Sequence, residues 1–352
     1  MVKNKMKKLK LSFRKTTLMV VTLASTLFSV NALAKAEFEW TIQTSSQAGD
    51  NFFPIKQEWA KRVGAMSNGR IDINLVPVGT VVQYNETLDA VGAGILQGHI
   101  TDPSYFTGKD AAFGMLGNLV GAWSSPEQLF RFIEYGGGKE LFNELMNPYG
   151  VQFVGATTTG VEAFLSTKPI NGVADLKGIK MRAPEGMVQK VFAAAGASPV
   201  NLPGSEVYTS LEKGVIDAAD YTVFSTNHKQ GMHKFAKYPL YPGFHSMPVL
   251  DVSINKAQWD KLPDDLKLIM EVSIRDFAYD MVSRLDRENA AAVVEARKDD
   301  SITIINWDDA ERAKFRTIAR GQWEEWAERS EMSKKVFTRI SNYMIEAGLI
   351  NQ

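Results

Sequence analysis

The 352-residue sequence contains no cysteine. Disulfides, thiolate metal sites, a cysteine nucleophile and a lipid-bearing cysteine near the N-terminus are therefore excluded. Only four histidines are present. The nearest pair, His228 and His233, lies five residues apart, which on one helix places the rings on different faces, and neither has a carboxylate at ligand spacing. GxSxG, HExxH and GxxxxGK[ST] are all missing. Gly92-Ala93-Gly94 with Gly98 misses the GxGxxG spacing by one and reads as a turn at a helix end. These absences weigh against a hydrolase, a nucleotide-dependent enzyme and a histidine metal site.

What is present begins with an address. Lys3, Lys5, Lys7, Lys8, Lys10, Arg14 and Lys15 precede the apolar run from Leu18 to Val30, and Ala32-Leu33-Ala34 follows with small residues. This is the order of a secretory signal peptide over residues 1–34. The run is shorter than the roughly 20 residues a membrane span needs, and no later stretch is long and uncharged enough. A retained N-terminal anchor is the alternative, disfavoured by the Ala-x-Ala site. The mature protein is expected to start near Lys35 and to be free in the periplasm. The chain carries 40 basic and 40 acidic residues. Removing the seven N-terminal cations leaves 33 against 40, net about minus seven, which argues against nucleic acid and anionic membranes as partners.

From residue 38 onward, short β-rich runs alternate with amphipathic stretches. Strands are expected over Phe38–Thr44, Ile71–Pro77, Val151–Thr157, Ala163–Ser166, Ile179–Arg182 and Val215–Tyr221. Helices are expected up to Gly69 and over Glu86–Ala93, Glu185–Ala195 and Ser205–Lys213, the last stopped by Gly214. Such alternation predicts an α/β fold with parallel, helix-covered sheets. Past residue 260, Asp264–Lys298 and Ala310–Ala347 read as long helices broken only by the strand-like Ile302–Trp307. About 318 mature residues exceed what one core usually holds, and no Gly- or Pro-rich linker separates halves, so two lobes joined by an ordered hinge are expected. The expected division is residues 35–156 plus about 246–285 for one lobe, 157–245 for the other, and 286–352 for C-terminal helices clasping both.

In open α/β sheets, ligands sit at the carboxyl ends of strands. Lys180-Met181-Arg182-Ala183-Pro184 is a strand ending on an arginine, whose planar fork suits a carboxylate or sulfonate; an interlobe salt bridge is the alternative. Asp220 and Tyr221 end the next strand, where Asp220 either faces a ligand or caps the helix that follows. Tyr241-Pro242-Gly243-Phe244-His245-Ser246 is a turn whose aromatic residues either wall a pocket or pack inside.

The segment from Val173 to Pro184 (VADLKGIKMRAP) resembles the hallmark of the DctP-type binding proteins of tripartite ATP-independent periplasmic (TRAP) transporters. The likeness continues through Leu211-Glu212-Lys213-Gly214-Val215-Ile216-Asp217-Ala218 to Trp259-Asp260-Lys261-Leu262-Pro263 and covers essentially the whole mature chain. The resemblance implies a two-lobe periplasmic binding protein fold and assigns Arg182 to a substrate carboxylate. Tyr105-Phe106-Thr107-Gly108-Lys109-Asp110, Asp220-Tyr221 and Pro242-Gly243-Phe244-His245 look most like the branch that binds 2-oxo acids and lactate. That branch holds its substrate beside a cation using a Gln, an acidic residue, the carbonyl of the following aromatic residue and a Glu after the His. The matching positions here hold Glu162, Asp220, Tyr221 and Ser246, so one carboxylate has changed sides. A sodium or calcium ion at the ligand site is therefore an expectation, with Glu162 and Asp220 bonding ligand hydroxyls or an ammonium group as the alternative.

The resemblance thus implies capture of a small organic acid, a 2-oxo or 2-hydroxy acid first and a sulfonate or dicarboxylate second. Arg182 grips the acid group, Glu162 and His245 stand beside it, and Tyr105, Tyr221 and Phe244 wall it. Delivery to TRAP membrane permease subunits follows from the same likeness, and no cofactor is required. A periplasmic enzyme using Asp220, Glu162 or His245 as a base is the rival, and a ligand sensor the third reading. The final helix, Ser333 to Ala347, either packs on its own lobe or joins a second copy in a homodimer.

Overall fold

The computed structural model describes residues 36–350; the expected signal peptide, residues 1–34, lies outside the described residues. Two mixed sheets organise the chain, each the floor of one lobe. The first has strand order β2-β1-β3-β9-β4, made of β1 (Phe38–Thr44), β2 (Ile71–Val76), β3 (Gly98–Thr101), β4 (Val151–Thr157) and β9 (Leu250–Asn255). The second has order β5-β8-β6-β7, made of β5 (Ala163–Ser166), β6 (Lys180–Arg182), β7 (Ser198–Val200) and β8 (Ala218–Thr222). The expected two-lobe α/β architecture is thus borne out.

The expectation of purely parallel sheets is not. β1 runs parallel to β2 and β3, and β6 parallel to β7 and β8. β9, however, returns from beyond the second lobe and inserts antiparallel to both β3 and β4, while β5 lies antiparallel to β8. All six β9 residues are buried. Its position reflects long-range pairing that no local pattern encodes.

One face of the first sheet is covered by α1 (Phe53–Met66), whose Ile55, Trp59 and Val63 recur every four residues and so line one helix face. α2 (Thr87–Gly92) leads into β3. Against the other side pack α3 (Ala111–Gly117), α4 (Pro126–Tyr135) and α5 (Gly138–Met146). In the second lobe, α6 (Met187–Ala194) and α7 (Val207–Glu212) connect the parallel strands, and α8 (Phe224–Lys229) follows β8.

After α9 (Lys256–Lys261), the 33-residue α10 (Asp264–Ala296) extends about 50 Å at 1.5 Å per residue. Its early apolar residues pack with α1 and the first sheet, and Val293 and Ala296 near its end pack with Ala163 and Phe224 of the second lobe. This helix ties the lobes together without a loose linker. Ile302–Trp307 is not a strand. It runs beside residues 237–241, with Tyr241 N–H donating to Ile305 O at 2.9 Å, but forms only isolated bridging there.

The final helical stretch is broken rather than continuous, into α11 (Asp309–Ala327) and α12 (Glu331–Glu346). Ser330 causes the break, since its hydroxyl accepts from Ser333 N and caps a new helix. α11 packs on α6 of the second lobe and α3 of the first. Trp323 and Trp326 donate their indole N–H groups to the carbonyls of Val120 (3.0 Å) and Ala111 (2.8 Å). α12 packs its apolar face within the chain, against α3 and α11, with Tyr343 beside Trp123 and Phe132. No helix among the described residues is long and apolar enough to cross a membrane.

Candidate ligand-binding site

A cleft opens between the lobes. Arg182 ends β6, the strand that runs between β7 and β8. Its fork therefore reaches the backbone on both sides: Nε donates to Leu202 O, just past β7, at 3.0 Å and Nη1 to Asp220 O, within β8, at 2.6 Å. Among the described residues no carboxylate forms a salt bridge with it, so the interlobe ion pair is not what Arg182 makes. Two carbonyls fix the plane of the guanidinium while leaving its charge uncompensated by direct pairing. The side chain is buried yet forms part of the cleft wall.

Antiparallel pairing of β5 with β8 sets Ala163 opposite Thr222. The preceding residue, Glu162, is thereby brought beside Asp220, the middle residue of β8. The turn that carries His245 closes over the same spot. Glu162 N donates to Ser246 O at 2.9 Å, and His245 O accepts from Gly121 N at 2.8 Å. Gly243 is required here, because a Cβ on it would come within 1.9 Å of the Glu162 carbonyl oxygen. From α11, Arg312 holds the turn by donating to the carbonyls of Gly243 (2.7 Å) and Pro242 (2.9 Å).

Glu162, Asp220 and His245 each present one ligand atom within 4.8 Å of the others, and all three are buried. His245 Nε2 lies 2.8 Å from Asp220 Oδ1. Asp220 does not cap α8, whose N-cap is Val223 with no side-chain cap bond. Burial, the charge of Asp220 and a hydrogen bond to it hold the Glu162 carboxyl well above the usual glutamate range, with Arg182 pulling the other way. Burial also pushes Asp220 upward, but His245, the bond from Glu162 and Arg182 together hold it below the ordinary aspartate value. The pair divides one proton unequally, with Glu162 as its holder. Ser246 Oγ, buried beside them, has no hydrogen-bond partner. Glu162 and Asp220 offer the hard oxygen donors that sodium and calcium take, with the His245 ring nitrogen as the third group of the cluster.

Tyr105 and Tyr221 line the cleft from opposite lobes. Tyr105 stands in the 3-10 turn Pro103–Phe106 after β3, edge-on to Tyr84 at 4.8 Å. Tyr221 OH accepts from Gln47 Nε2 of the first lobe at 3.2 Å. Burial and nearby Asp50 push the Tyr221 phenol up to about 12, and burial with Asp102 raises Tyr105 as well. Both therefore act as neutral hydroxyls.

Phe244 is placed otherwise. It stacks on Trp307 at 4.0 Å between ring centres and packs with Phe164, Phe192 and Phe315, behind the turn and away from the cleft lining. Of the two readings of that turn, packing describes Phe244, while His245 joins Glu162 and Asp220 in the buried cluster. His228 and His233 depart from expectation too. α8 ends at Lys229 and Gly231 turns the chain, so the rings meet with Nδ1 atoms 3.1 Å apart instead of diverging.

The cleft also contains Ser46, Gln47, Asp50, Asp102 and Asn118, none of which the sequence reading singled out. Asp102 sits just after β3, so the same rule about strand ends would have found it had β3 been recognised. Burial raises its carboxyl to about 7, with Asp251 and Asp220 adding to the effect against the N–H bond from Ser104.

Residues 45–330 match the family model DctP, described as bacterial extracellular solute-binding protein, family 7. The chain belongs to this family. DctP relatives agree with that placement. A monocarboxylate 2-oxoacid-binding periplasmic protein of Nostoc sp. is 31% identical over 256 residues, covering 72% of this chain and 70% of that protein. A TRAP periplasmic solute-binding protein of Rhodobacter sphaeroides, solved in an apo open form, is 51% identical with TM-score 0.76, covering 89% of this chain and 100% of the other. Another, from Pseudoalteromonas atlantica with bound sodium and pyruvate, is 29% identical with TM-score 0.78 over 89% of this chain and 95% of the other. The resemblance carried by VADLKGIKMRAP is thereby borne out.

Proposed function

We propose that this DctP-family protein captures a small organic carboxylate in the periplasm, a 2-oxo or 2-hydroxy acid before other acids, and hands it to a TRAP membrane permease. The observation that carries this reading is Arg182. It is a buried cation in the cleft wall, aligned by two backbone carbonyls and paired with no carboxylate among the described residues. A buried charge without a counter-ion is costly, so the arrangement favours an arriving anion. The oxoacid-binding relative and the pyruvate bound to the P. atlantica protein support the choice of acid.

Glu162, Asp220, the Tyr221 carbonyl and Ser246 are the residues that would hold a sodium or calcium ion, and the ion would supply positive charge between the two carboxylates and the bound anion. His245 aligns Asp220. Tyr105 and Tyr221 close the cleft from either lobe with neutral hydroxyls. No step in this capture breaks a covalent bond, in keeping with a binding role rather than an enzymatic one.

A thermal-shift screen over 2-oxo acids, 2-hydroxy acids, dicarboxylates, sulfonates and aromatic acids tests the reading. A ligand present at 100 times its Kd stabilises the fold by about 2.7 kcal/mol. Pyruvate or a close relative is expected to raise Tm in the wild type but not in Arg182→Ala. A screen in which only sulfonates or amines act would sink the proposed substrate class.

A further inference from the structure

The first lobe's wall of the cleft ends in a hydroxyl whose direction is forced. Lys56 on α1 is fully buried, and its Nζ donates to Thr44 Oγ1 at 2.7 Å and also to Ser46 Oγ. Thr44 Oγ1 accepts as well from the backbone N–H of Ser46 at 3.2 Å. Its two lone pairs are then occupied, so its proton goes to Ser46 Oγ, 3.2 Å away. Ser46 Oγ in turn accepts from both Lys56 and Thr44. A hydroxyl has two lone pairs and one proton, so Ser46 can only donate to whatever comes next. Among the described residues no acceptor takes that proton, and Ser46 lines the cleft.

The source of this polarity is the Lys56 ammonium. Asp50 lies close enough to favour its charged form, against burial, which brings its pKa down to about 7. The ring of Phe52 faces the same nitrogen at 5.3 Å. An anion in the cleft acts on Lys56 in the same sense as Asp50. Positive potential thus reaches the cleft from both lobes, directly from Arg182 and by way of Ser46 from Lys56.

We propose that Ser46 is a ligand anchor of the first lobe, directed by Lys56, and that it donates to an oxygen of the bound acid other than the carboxylate held by Arg182. The proposal rests on the carboxylate reading above and narrows it. The ligand must carry a second oxygen acceptor: a keto oxygen, a hydroxyl or a second carboxylate. A plain alkanoate would leave the Ser46 proton buried and unpaired, a penalty that selects against it. Lys56 is a positioning residue, since it acts through Ser46.

Isothermal titration calorimetry with pyruvate, lactate, malonate and propanoate, on wild type, Ser46→Ala, Lys56→Met and Arg182→Ala, tests this. Ser46→Ala is expected to weaken the preferred oxygen-bearing acid by about ten- to a hundredfold, the worth of a hydrogen bond involving charge, and to change propanoate less than about twofold. Lys56→Met should show the same selective loss; if it fails to fold, Ser46→Ala carries the test. Equal losses for pyruvate and propanoate, or no loss for any acid, would overturn the Ser46 proposal. Retained affinity in Arg182→Ala would instead overturn the carboxylate reading, and absence of binding to wild type by all four acids would overturn both.

Discussion

His245 Nε2 approaches Asp220 Oδ1 to 2.8 Å, and both side chains are buried. The contact anchors the carboxylate in the middle of β8, while Glu162 beside it is held well above the usual glutamate range by burial and by the charge of Asp220.

Glu162→Gln is expected to stabilise the protein above neutral pH. With its folded-state pKa raised, Glu162 binds a proton more tightly folded than unfolded, so its contribution to stability falls as pH rises from the ordinary glutamate value toward the raised one. Glutamine lacks that penalty. Differential scanning fluorimetry at pH 8 should show a higher Tm for the variant after chelator treatment, and a smaller gain on adding calcium or sodium than wild type. An identical response to the ions in both proteins would remove Glu162 from the cation site.

Arg182→Lys keeps the charge but cannot bond Leu202 O and Asp220 O while presenting a planar fork. Affinity for the preferred acid is expected to drop at least about tenfold, in line with about 1.5 kcal/mol or more for a charge-assisted contact, as read by calorimetry. A lysine variant that binds as tightly as wild type would mean that a point charge is sufficient and the fork irrelevant.

Phe244→Ala separates packing from ligand contact. Removing a half-buried ring from the stack with Trp307 should cost about 2–3 kcal/mol of stability in a denaturant titration. Its Kd for the ligand should stay within about threefold of wild type wherever the variant remains folded. A large loss of affinity with little loss of stability would return Phe244 to the pocket wall.

Asp102→Asn tests the buried acid beside Tyr105. Asp102 has its pKa raised to about 7, so the folded state holds a proton between roughly pH 4 and 7 that the unfolded chain releases. Its contribution therefore declines as pH rises across that window. Asparagine can keep the bond from Ser104 N, 2.8 Å in the native protein, and carries no charge. The variant should melt higher than wild type at pH 8 and show a flatter dependence of Tm on pH between 4 and 7. Matching pH profiles would place the titration elsewhere.

Local signals were legible because they act over a few residues. Alternation set Phe38–Thr44 and Val151–Thr157 to the residue. Arg182 could be found because a strand ending on an arginine before Ala-Pro is visible in the chain itself. β9 could not be placed in the same way, since its six buried residues owe their position to partners about 100 residues away on β4 and about 150 away on β3. The two histidines were misread for a related reason: a helix stop and a glycine turn, rather than helical period, decide where His233 points.

By itself, then, the sequence determined the alternating elements, the family hallmark, the absence of thiol chemistry and the position of the guanidinium at the end of β6. Tertiary structure decided which groups surround it. Glu162, Asp220, His245 and Ser246 come from three separate segments, and the Lys56–Thr44–Ser46 relay from a helix, the last residue of β1 and the bend after it. Hydrophobic periodicity reports only which face of an element is buried. What a buried polar atom bonds to depends on sheet order and on chain segments brought together by packing, and those are properties of the whole fold.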